Sequence, residues 1–104
     1  MDHIELWDKA KALMREELAN VSYTTWIEQP LKPVYVVDDK LALEVISDFN
    51  EKTIRARYLP MITEAVSQAA GREMTIELMS VKERIEWQER QKKEDAPAMQ
   101  GINM

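Results

Sequence analysis

Three large aromatic side chains are the residues of this sequence best suited to recognition chemistry. Trp7, Trp26 and Phe49 fall at or near the starts of predicted helices, and Phe49 is the only phenylalanine. Phe49 lies between Asp48 and Asn50, and large aromatic residues ringed by polar ones are typical anchors of protein–protein interfaces. The pattern favours a binding surface over an active site.

Residues that could support catalysis or metal binding are sparse. The chain has no cysteine and one histidine, His3, so neither a thiolate site nor a histidine-based triad or metal site is expected. The carboxylate pairs Glu16–Glu17 and Asp38–Asp39 are sequence neighbours that do not converge on one point, and no calcium-loop spacing surrounds them. With glycine only at Gly71 and Gly101, neither a phosphate-binding loop nor a GXXG clamp can form. We therefore predict no enzyme activity, no metal and no cofactor.

Length, charge and hydropathy set the class of protein. A chain of 104 residues with 45% hydrophobic residues supports one domain. Residues 1–79 carry 9 basic and 14 acidic side chains, whereas 80–104 carry five of each, so the predicted globular part holds the whole net charge of −5. Such a charge disfavours tight nucleic-acid binding. The charged amino terminus does not resemble a signal peptide and no stretch could span a membrane, so we predict a cytoplasmic protein without membrane contact.

The elements that would carry the aromatic residues follow from caps and periodicity. Asp2 is a typical N-cap for a helix over about 3–19, and Ser22 is placed to cap a short helical turn through Ile27. The predicted apolar stripe of the first helix comprises Ile4, Trp7, Ala10, Leu13, Met14 and Leu18.

Extended segments follow this turn. Pro30 and Pro33 exclude a helix interior across 31–37, where valines and a tyrosine favour a strand. A turn at 38–40 leads into the alternating segment 41–45, which closes a hairpin.

A longer helix is predicted after the hairpin. Ser47 or Asp48 caps it, and Pro60 predicts a kink or break within it. The second part of this helix reaches Ala70, and Gly71 suits the C′ position that ends it.

The last elements are a strand and a polar helix. Residues 74–79 alternate as a third strand, Ser80 and Glu83 form a capping box for a helix over about 81–93, and 94–104 has the composition of a disordered linker or terminus. The chain is thus predicted to be a small α+β layer with a three-stranded sheet. We expect an interaction domain at 1–79, followed at 80–104 by a polar helical tail and flexible linker.

Four segments carry a resemblance to a known family. They are LW at 6–7, SYTTWI at 22–27, LALEVISDFN at 41–50 and IRARYLPMI at 54–62. The most specific motifs are Y-x-x-W-I from Tyr23 to Ile27 and F-x₈-Y-L from Phe49 to Leu59. Together with the element order, they closely resemble the N-terminal domain (domain I) of the bacterial replication initiator DnaA over about residues 4–79.

The resemblance implies a KH-like fold and a non-enzymatic protein-interaction module. Domain I of that family is implicated in self-association and in contacting the replicative DNA helicase and initiation regulators, and weak single-stranded DNA contact is associated with some members. Trp7 matches the tryptophan implicated in self-association. The positions that line the partner-binding face are matched by Ser22, Thr25, Trp26, Ser47, Phe49 and Asn50.

The sequence departs from the family pattern in two respects. Ile46-Ser47 stand where the family often has Pro-Asn, and Thr53 stands where a tryptophan is frequent, which leaves the partner's identity open. In addition, the ATPase with its Walker A loop and the helix-turn-helix domain of a full initiator are absent from these 104 residues. The chain is either an excised domain I with the beginning of its linker or a standalone domain-I-like protein.

Alternative roles remain open for each aromatic residue. Trp7 can be a core residue or an interface residue, because tryptophan is often buried on one side only. Trp26 is expected mostly in the core with an exposed edge. Phe49 can be a hydrophobic staple that fixes the start of its helix, or an exposed anchor.

The basic cluster of Lys52, Arg55 and Arg57 has two interpretations as well. It can make a weak nucleic-acid contact, or it can be a solvated helix face that pairs with Asp48 and Glu51. We expect a domain that recruits helicase and regulators at the origin. The alternatives are a free-standing regulator that binds the full-length initiator through Trp7, and a single-stranded DNA binder.

Overall fold

A computed structural model describes the backbone of residues 1–103 and the side chains of residues 1–93. It contains two π-helical turns: Thr24–Glu28 (the first π turn) ends a short helical segment, and Ile54–Tyr58 (the second π turn) interrupts a longer one. The other elements are α1 (His3–Glu17), α2 (Asn20–Tyr23), β1 (Leu31–Val37), β2 (Lys40–Val45), α3 (Asp48–Thr53), α4 (Leu59–Ala70), β3 (Thr75–Ser80) and α5 (Val81–Asn103). The linker predicted at 94–104 lies outside the residues whose side chains are described.

The three strands form one mixed sheet in the order β1-β2-β3. β1 and β2 are antiparallel, with Leu31 opposite Val45, and β3 lies parallel to β2, with Leu78 opposite Leu43. Asp38, in the tight turn between β1 and β2, has a φ of 53°, a conformation that aspartate tolerates better than most residues. The predicted hairpin and the predicted α+β class with a three-stranded sheet are confirmed.

The hydrophobic core lies between one face of the sheet and the helices α1 and α4. The stripe of α1 that faces it differs from the predicted one, since Leu6 is 3% exposed and Ile4 is 54% exposed. At about 100° per residue, Ile4 lies roughly 100° from the centre of the buried stripe. The fully buried large side chains are Trp7, Met14, Ile27, Leu41, Leu43, Ile54, Ile62, Met74, Val45 and Val66.

The opposite face of the sheet is covered by the first turns of α5. Trp87 stacks on Tyr35 with ring centroids 4.8 Å apart, and Arg84 Nε donates to a Glu44 carboxylate oxygen at 2.7 Å. Ala42, on this outer face of β2, is completely buried. The helix predicted at about 81–93 is therefore confirmed and longer than expected, and its amino-terminal part forms a third layer of the domain.

The predicted break and most of the predicted caps are present, but the predicted cap at Ser22 is wrong: Ser22 lies inside α2, whose N-cap is Ala19. The Ser80 hydroxyl accepts from the backbone of Glu83, whose carboxylate accepts from the backbone of Ser80. Gly71 has a φ of 73° and ends α4. The chain departs from the α-helix just before Pro60, where the second π turn widens the helix. Because proline lacks an N–H and its ring crowds the carbonyl four residues earlier, a wider turn at this point relieves both problems.

In the part of the chain that the structure describes, no helix combines the length and hydropathy that crossing a membrane requires.

Candidate functional site

Phe49, Trp26 and Tyr58 form a cluster on the surface, which we call the aromatic patch. The Phe49 side chain is 71% exposed, and its ring centroid lies 6.2 Å from that of Trp26 in a tilted arrangement. Trp26 is half-buried and stacks on Tyr58 at 6.1 Å. These separations fall within the range of favourable aromatic pairs. Trp26 thus connects an exposed ring to the body of the domain.

Both inner members of the aromatic patch come from π-helical turns. Trp26 lies in the first π turn, which is closed by a hydrogen bond from the Gln29 N–H to the Thr24 carbonyl at 3.0 Å. Tyr58 ends the second π turn. Ile27 and Ile54 anchor the two turns in the core with no exposed surface. Such π segments occur frequently at functional sites, since the inserted residue re-aims its neighbours.

A polar network fixes the first π turn to α1. The Tyr23 hydroxyl donates to Glu28 Oε1 at 3.0 Å, and Lys11 Nζ on α1 lies 3.4 Å from Glu28 Oε2. Burial, and to a smaller extent the hydrogen bond to the Glu28 carboxylate, raise the pKa of Tyr23 from 10.0 to about 12. Glu28, the last residue of the turn that carries Trp26, therefore connects this turn to both α1 and α2.

The cap of α3 holds Phe49 in place. Ser47 is the N-cap, and its hydroxyl accepts from the Asn50 N–H at 3.1 Å. Phe49 follows in the first turn, where its ring points away from the core. A staple would be buried against its own helix, so the exposed-anchor interpretation describes the observed geometry.

A shallow depression of about 380 Å³, which we call the groove, runs along one side of the aromatic patch. Its walls come from α3, the first π turn and the second π turn. The lining residues are Trp26, Phe49, Lys52, Thr53, Ala56 and Arg57. Thr53 and Ala56 are small, and they leave the space open between the larger side chains.

The structure brings some of the predicted partner-binding residues together and separates others from the groove. Trp26 and Phe49 line it. Ser22 and Thr25 lie four positions and one position before Trp26 in the sequence and do not line the groove, and Ser47 and Asn50 belong to the cap of α3. These four residues border the groove along the chain and do not form its surface.

The predicted basic cluster divides into two parts. Arg55 Nε lies 2.9 Å from Glu51, as expected for a solvated helix face. Lys52 and Arg57 instead line the groove, and neither has a carboxylate within 4.0 Å among the side chains that the structure describes.

The position of Trp7 corrects the prediction that it contacts a second molecule. Its side chain is only 1% exposed and packs in the core between α1 and the sheet. A ring with so little exposed surface cannot supply a self-association contact without partial unfolding of α1. The exposed apolar residue of this helix is Ile4.

The sequence alone does not predict that Tyr58 and Ala56 belong to this site. Tyr58 is part of the F-x₈-Y-L motif without a predicted surface role, Ala56 has none, and Thr53 is recognised only as a departure from the family pattern. The signal was present in the helical spacing of three or four residues, which places Phe49, Thr53 and Ala56 on one face.

Comparison with known proteins identifies the family. The family model described as the DnaA N-terminal domain matches residues 4–68, which is more than half of the chain and contains the whole aromatic patch. The chain belongs to the DnaA N-terminal domain family. The resemblance predicted from the motifs is thereby confirmed.

Similar proteins carry the same family name. This DnaA N-terminal domain is 32% identical over 79 residues to the "Chromosomal replication initiator protein DnaA" of Thermoanaerobacter sp. (strain X514), covering 76% of the chain and 18% of that protein. It is 36% identical over 81 residues to the protein of the same name from Citrifermentans bemidjiense, covering 78% of the chain and 18% of the relative. The chain therefore spans about a fifth of the length of these relatives.

Proposed function

We propose that this DnaA N-terminal domain is a non-enzymatic interaction module in the initiation of chromosomal replication. In this proposal the domain uses no cofactor of its own and recruits the replicative DNA helicase and initiation regulators through the aromatic patch. The observation that carries the proposal is the exposed ring of Phe49, 71% accessible and held against Trp26 by capped and π-helical backbone. The chain belongs to a family whose relatives are named replication initiators, which supports a role in replication initiation.

The physical argument rests on the position of Phe49 relative to the core. Burying a large apolar side chain contributes roughly 1.5–3 kcal/mol. Because the Phe49 ring is mostly exposed in the isolated domain, most of this burial free energy becomes available only when a partner covers the ring. Because the patch is small, we expect transient complexes of modest affinity.

We also propose that the domain self-associates, but through a surface that does not include Trp7. Since Trp7 is buried, a homotypic contact at α1 would use exposed neighbours such as Ile4. The alternative of a free-standing regulator that binds the full-length initiator through Trp7 loses its structural support for the same reason. We still propose an interaction domain at 1–79 and a helical tail and linker at 80–104. The start of α5, within this tail, packs on the sheet.

An NMR titration tests helicase recruitment. The isotope-labelled domain is titrated with the replicative helicase of the same organism, and backbone amide shifts are followed. We expect shifts at residues 22–29 and 47–58 that Phe49→Ala abolishes while the spectrum stays folded. Arg55→Ala is the matched control, because Arg55 is exposed on the same helical segment but does not line the groove.

Two outcomes would contradict the proposal. One is the absence of shifts at helicase concentrations well above the labelled domain. The other is a set of shifts that Phe49→Ala leaves unchanged, which would show that the helicase binds a different surface.

A further inference from the structure

The charges that line the groove are of one sign. Lys52 and Arg57 are both exposed, and they are the charged members of the lining set. Asp48, which precedes Phe49, is not among the lining residues. The groove therefore offers an apolar surface with two cations beside it.

The two cations stand in an acidic domain in which ion pairing is partial. Residues 1–79 carry 14 acidic side chains against 9 basic ones, and four of those nine basic side chains lie within 4.0 Å of a carboxylate among the described residues. The ion pairs among the described residues are Lys11 with Asp8 and Glu28, Lys40 with Glu77, Arg55 with Glu51, Arg72 with Asp39, and Arg84 with Glu44. Lys52 and Arg57 have no such partner in the part of the chain that the structure describes.

A partner cannot cover the aromatic patch without approaching these two cations. Trp26, Phe49, Lys52 and Arg57 line one continuous depression, so a segment seated against the rings also excludes water from the ammonium and guanidinium groups. A charged group that is desolvated without a counter-charge opposes binding, whereas a carboxylate placed on it compensates. The groove thus discriminates between partners by charge.

The walls of the groove indicate the conformation of the partner. They are helical, formed by α3 and the two π turns, and they present side chains instead of an open strand edge. A partner strand therefore has no strand edge to pair with at the groove. The recognition mode that fits helical walls is an amphipathic helix laid into the groove.

From these observations we infer that the groove binds an acidic amphipathic helix of a partner protein. One or two of its apolar side chains would pack against Phe49 and Trp26 above Thr53 and Ala56, and its carboxylates would pair with Lys52 and Arg57. The inference rests on the proposed function, because it names the chemistry of the partner that the same surface receives.

A single-stranded nucleic acid is the competing occupant, since it also offers stacking surfaces and negative charge. The domain as a whole carries a net charge of −5, and two cations neutralise few phosphates. The charge balance therefore favours the acidic helix.

The test uses three matched pools of displayed amphipathic helical peptides. The pools share the same apolar anchor positions and differ only in the flanking positions, which are all Glu, all Gln or all Lys. Each pool is selected against the wild-type domain, Phe49→Ala, the double variant Lys52→Gln/Arg57→Gln, and the control Arg55→Gln. An oligothymidylate is titrated separately.

We expect Phe49-dependent binders mainly from the Glu pool, with dissociation constants that rise about tenfold for Lys52→Gln/Arg57→Gln and change little for Arg55→Gln. Phe49-dependent binders without a preference for Glu would overturn the inference while leaving the interaction surface intact. No Phe49-dependent binder in any pool would count against both proposals. Tighter binding of oligothymidylate than of any Glu peptide, lost in the double variant, would assign the groove to nucleic acid instead.

Discussion

The indole of Trp26 stacks on the phenol ring of Tyr58 with centroids 6.1 Å apart and an angle of 21° between the ring planes. The two residues are distant in sequence, and each belongs to a π-helical turn, whose hydrogen bonds span five residues instead of four. The contact therefore fixes the relative position of the two π turns. It also fixes the position of Trp26, against which the exposed ring of Phe49 lies.

Removing the stack should weaken partner binding more than it weakens the fold. In Tyr58→Leu, apolar volume is largely kept while the aromatic contact, worth about 0.5–1.5 kcal/mol, is lost. We expect about a threefold to tenfold loss of affinity for helicase, measured by fluorescence titration, with an altered Trp26 side-chain resonance. Tyr35→Leu is the control, because Tyr35 stacks on Trp87 at the opposite face of the sheet. Equal losses of binding in both variants would indicate a general destabilisation.

Filling the groove should block binding while preserving stability. Ala56 lies exposed on the floor of the groove, so Ala56→Trp occupies the space without disturbing the core. Surface substitutions of this kind usually change stability by less than about 0.5 kcal/mol. Arg55→Trp adds the same ring next to the groove and should leave binding nearly unchanged. Undiminished binding by Ala56→Trp would show that the partner does not use this depression.

The buried hydroxyl of Tyr23 predicts a loss of stability at alkaline pH. The folded-state pKa is about 12 against an ordinary value of 10.0, so the folded protein holds this proton more tightly than the unfolded chain does. The resulting stabilisation is fully present below about pH 10 and is lost as the pH rises towards 12. Relative to Tyr23→Phe, the wild type should be more stable by about 1 kcal/mol at neutral pH, with the difference shrinking above pH 10.

Urea unfolding at a series of pH values measures this difference, and ionisation of the other tyrosines cancels between the two proteins. Glu28→Gln should keep part of the alkaline effect, because burial contributes more to the raised pKa than the hydrogen bond does. Parallel stability curves for wild type and Tyr23→Phe above pH 10 would contradict the assignment.

Truncation of Trp87 should release α5 from the sheet. The ring is half-buried against Tyr35, so Trp87→Ala should lower the free energy of unfolding by about 2 kcal/mol, less than for a fully buried tryptophan. Hydrogen exchange should rise in the backbone of α5 while helicase binding is retained, since the aromatic patch lies elsewhere. Glu86→Ala, exposed on the same helix, serves as the control. Unchanged exchange in α5 would mean that Arg84 and Glu44 suffice to hold it.

Truncation of Trp7 separates a core role from an interface role. Trp7→Ala removes a fully buried ring and should destabilise the domain by about 3–5 kcal/mol, as judged by urea unfolding. Ile4→Asp changes an exposed residue of the same helix and should affect self-association without comparable destabilisation. If Trp7→Ala abolished self-association in a domain of undiminished stability, the buried position described here would be wrong for the protein in solution.

Local signals made much of the architecture predictable. The Ser80–Glu83 capping box, Gly71 and the break associated with Pro60 act through their own chain neighbours, so the sequence reveals them directly. The hairpin follows from the turn at 38–40 and the alternation of 41–45, whereas the register shift between Pro33 and Tyr35 has no such signal.

Contacts between distant segments could not be predicted in this way. Whether Leu6 or Ile4 faces the core together with Trp7 depends on the rotation of α1 against α4, which periodicity fixes only to within a residue. Trp87 forms no apolar stripe on its own helix, and its partner Tyr35 lies 52 positions earlier in the sequence. The first π turn, TTWIE, contains no proline or glycine, so the sequence predicts an ordinary helical turn there and gives no signal for the wider geometry.

The exposure of Phe49 has an evolutionary consequence. Its ring is held in position by the α3 cap and by Trp26, and it contributes no buried surface to the core. Replacing it, or the adjacent Lys52 and Arg57, leaves the hydrophobic core untouched. A lineage could therefore exchange one partner for another through a few substitutions, each viable on its own, while the same scaffold is inherited unchanged.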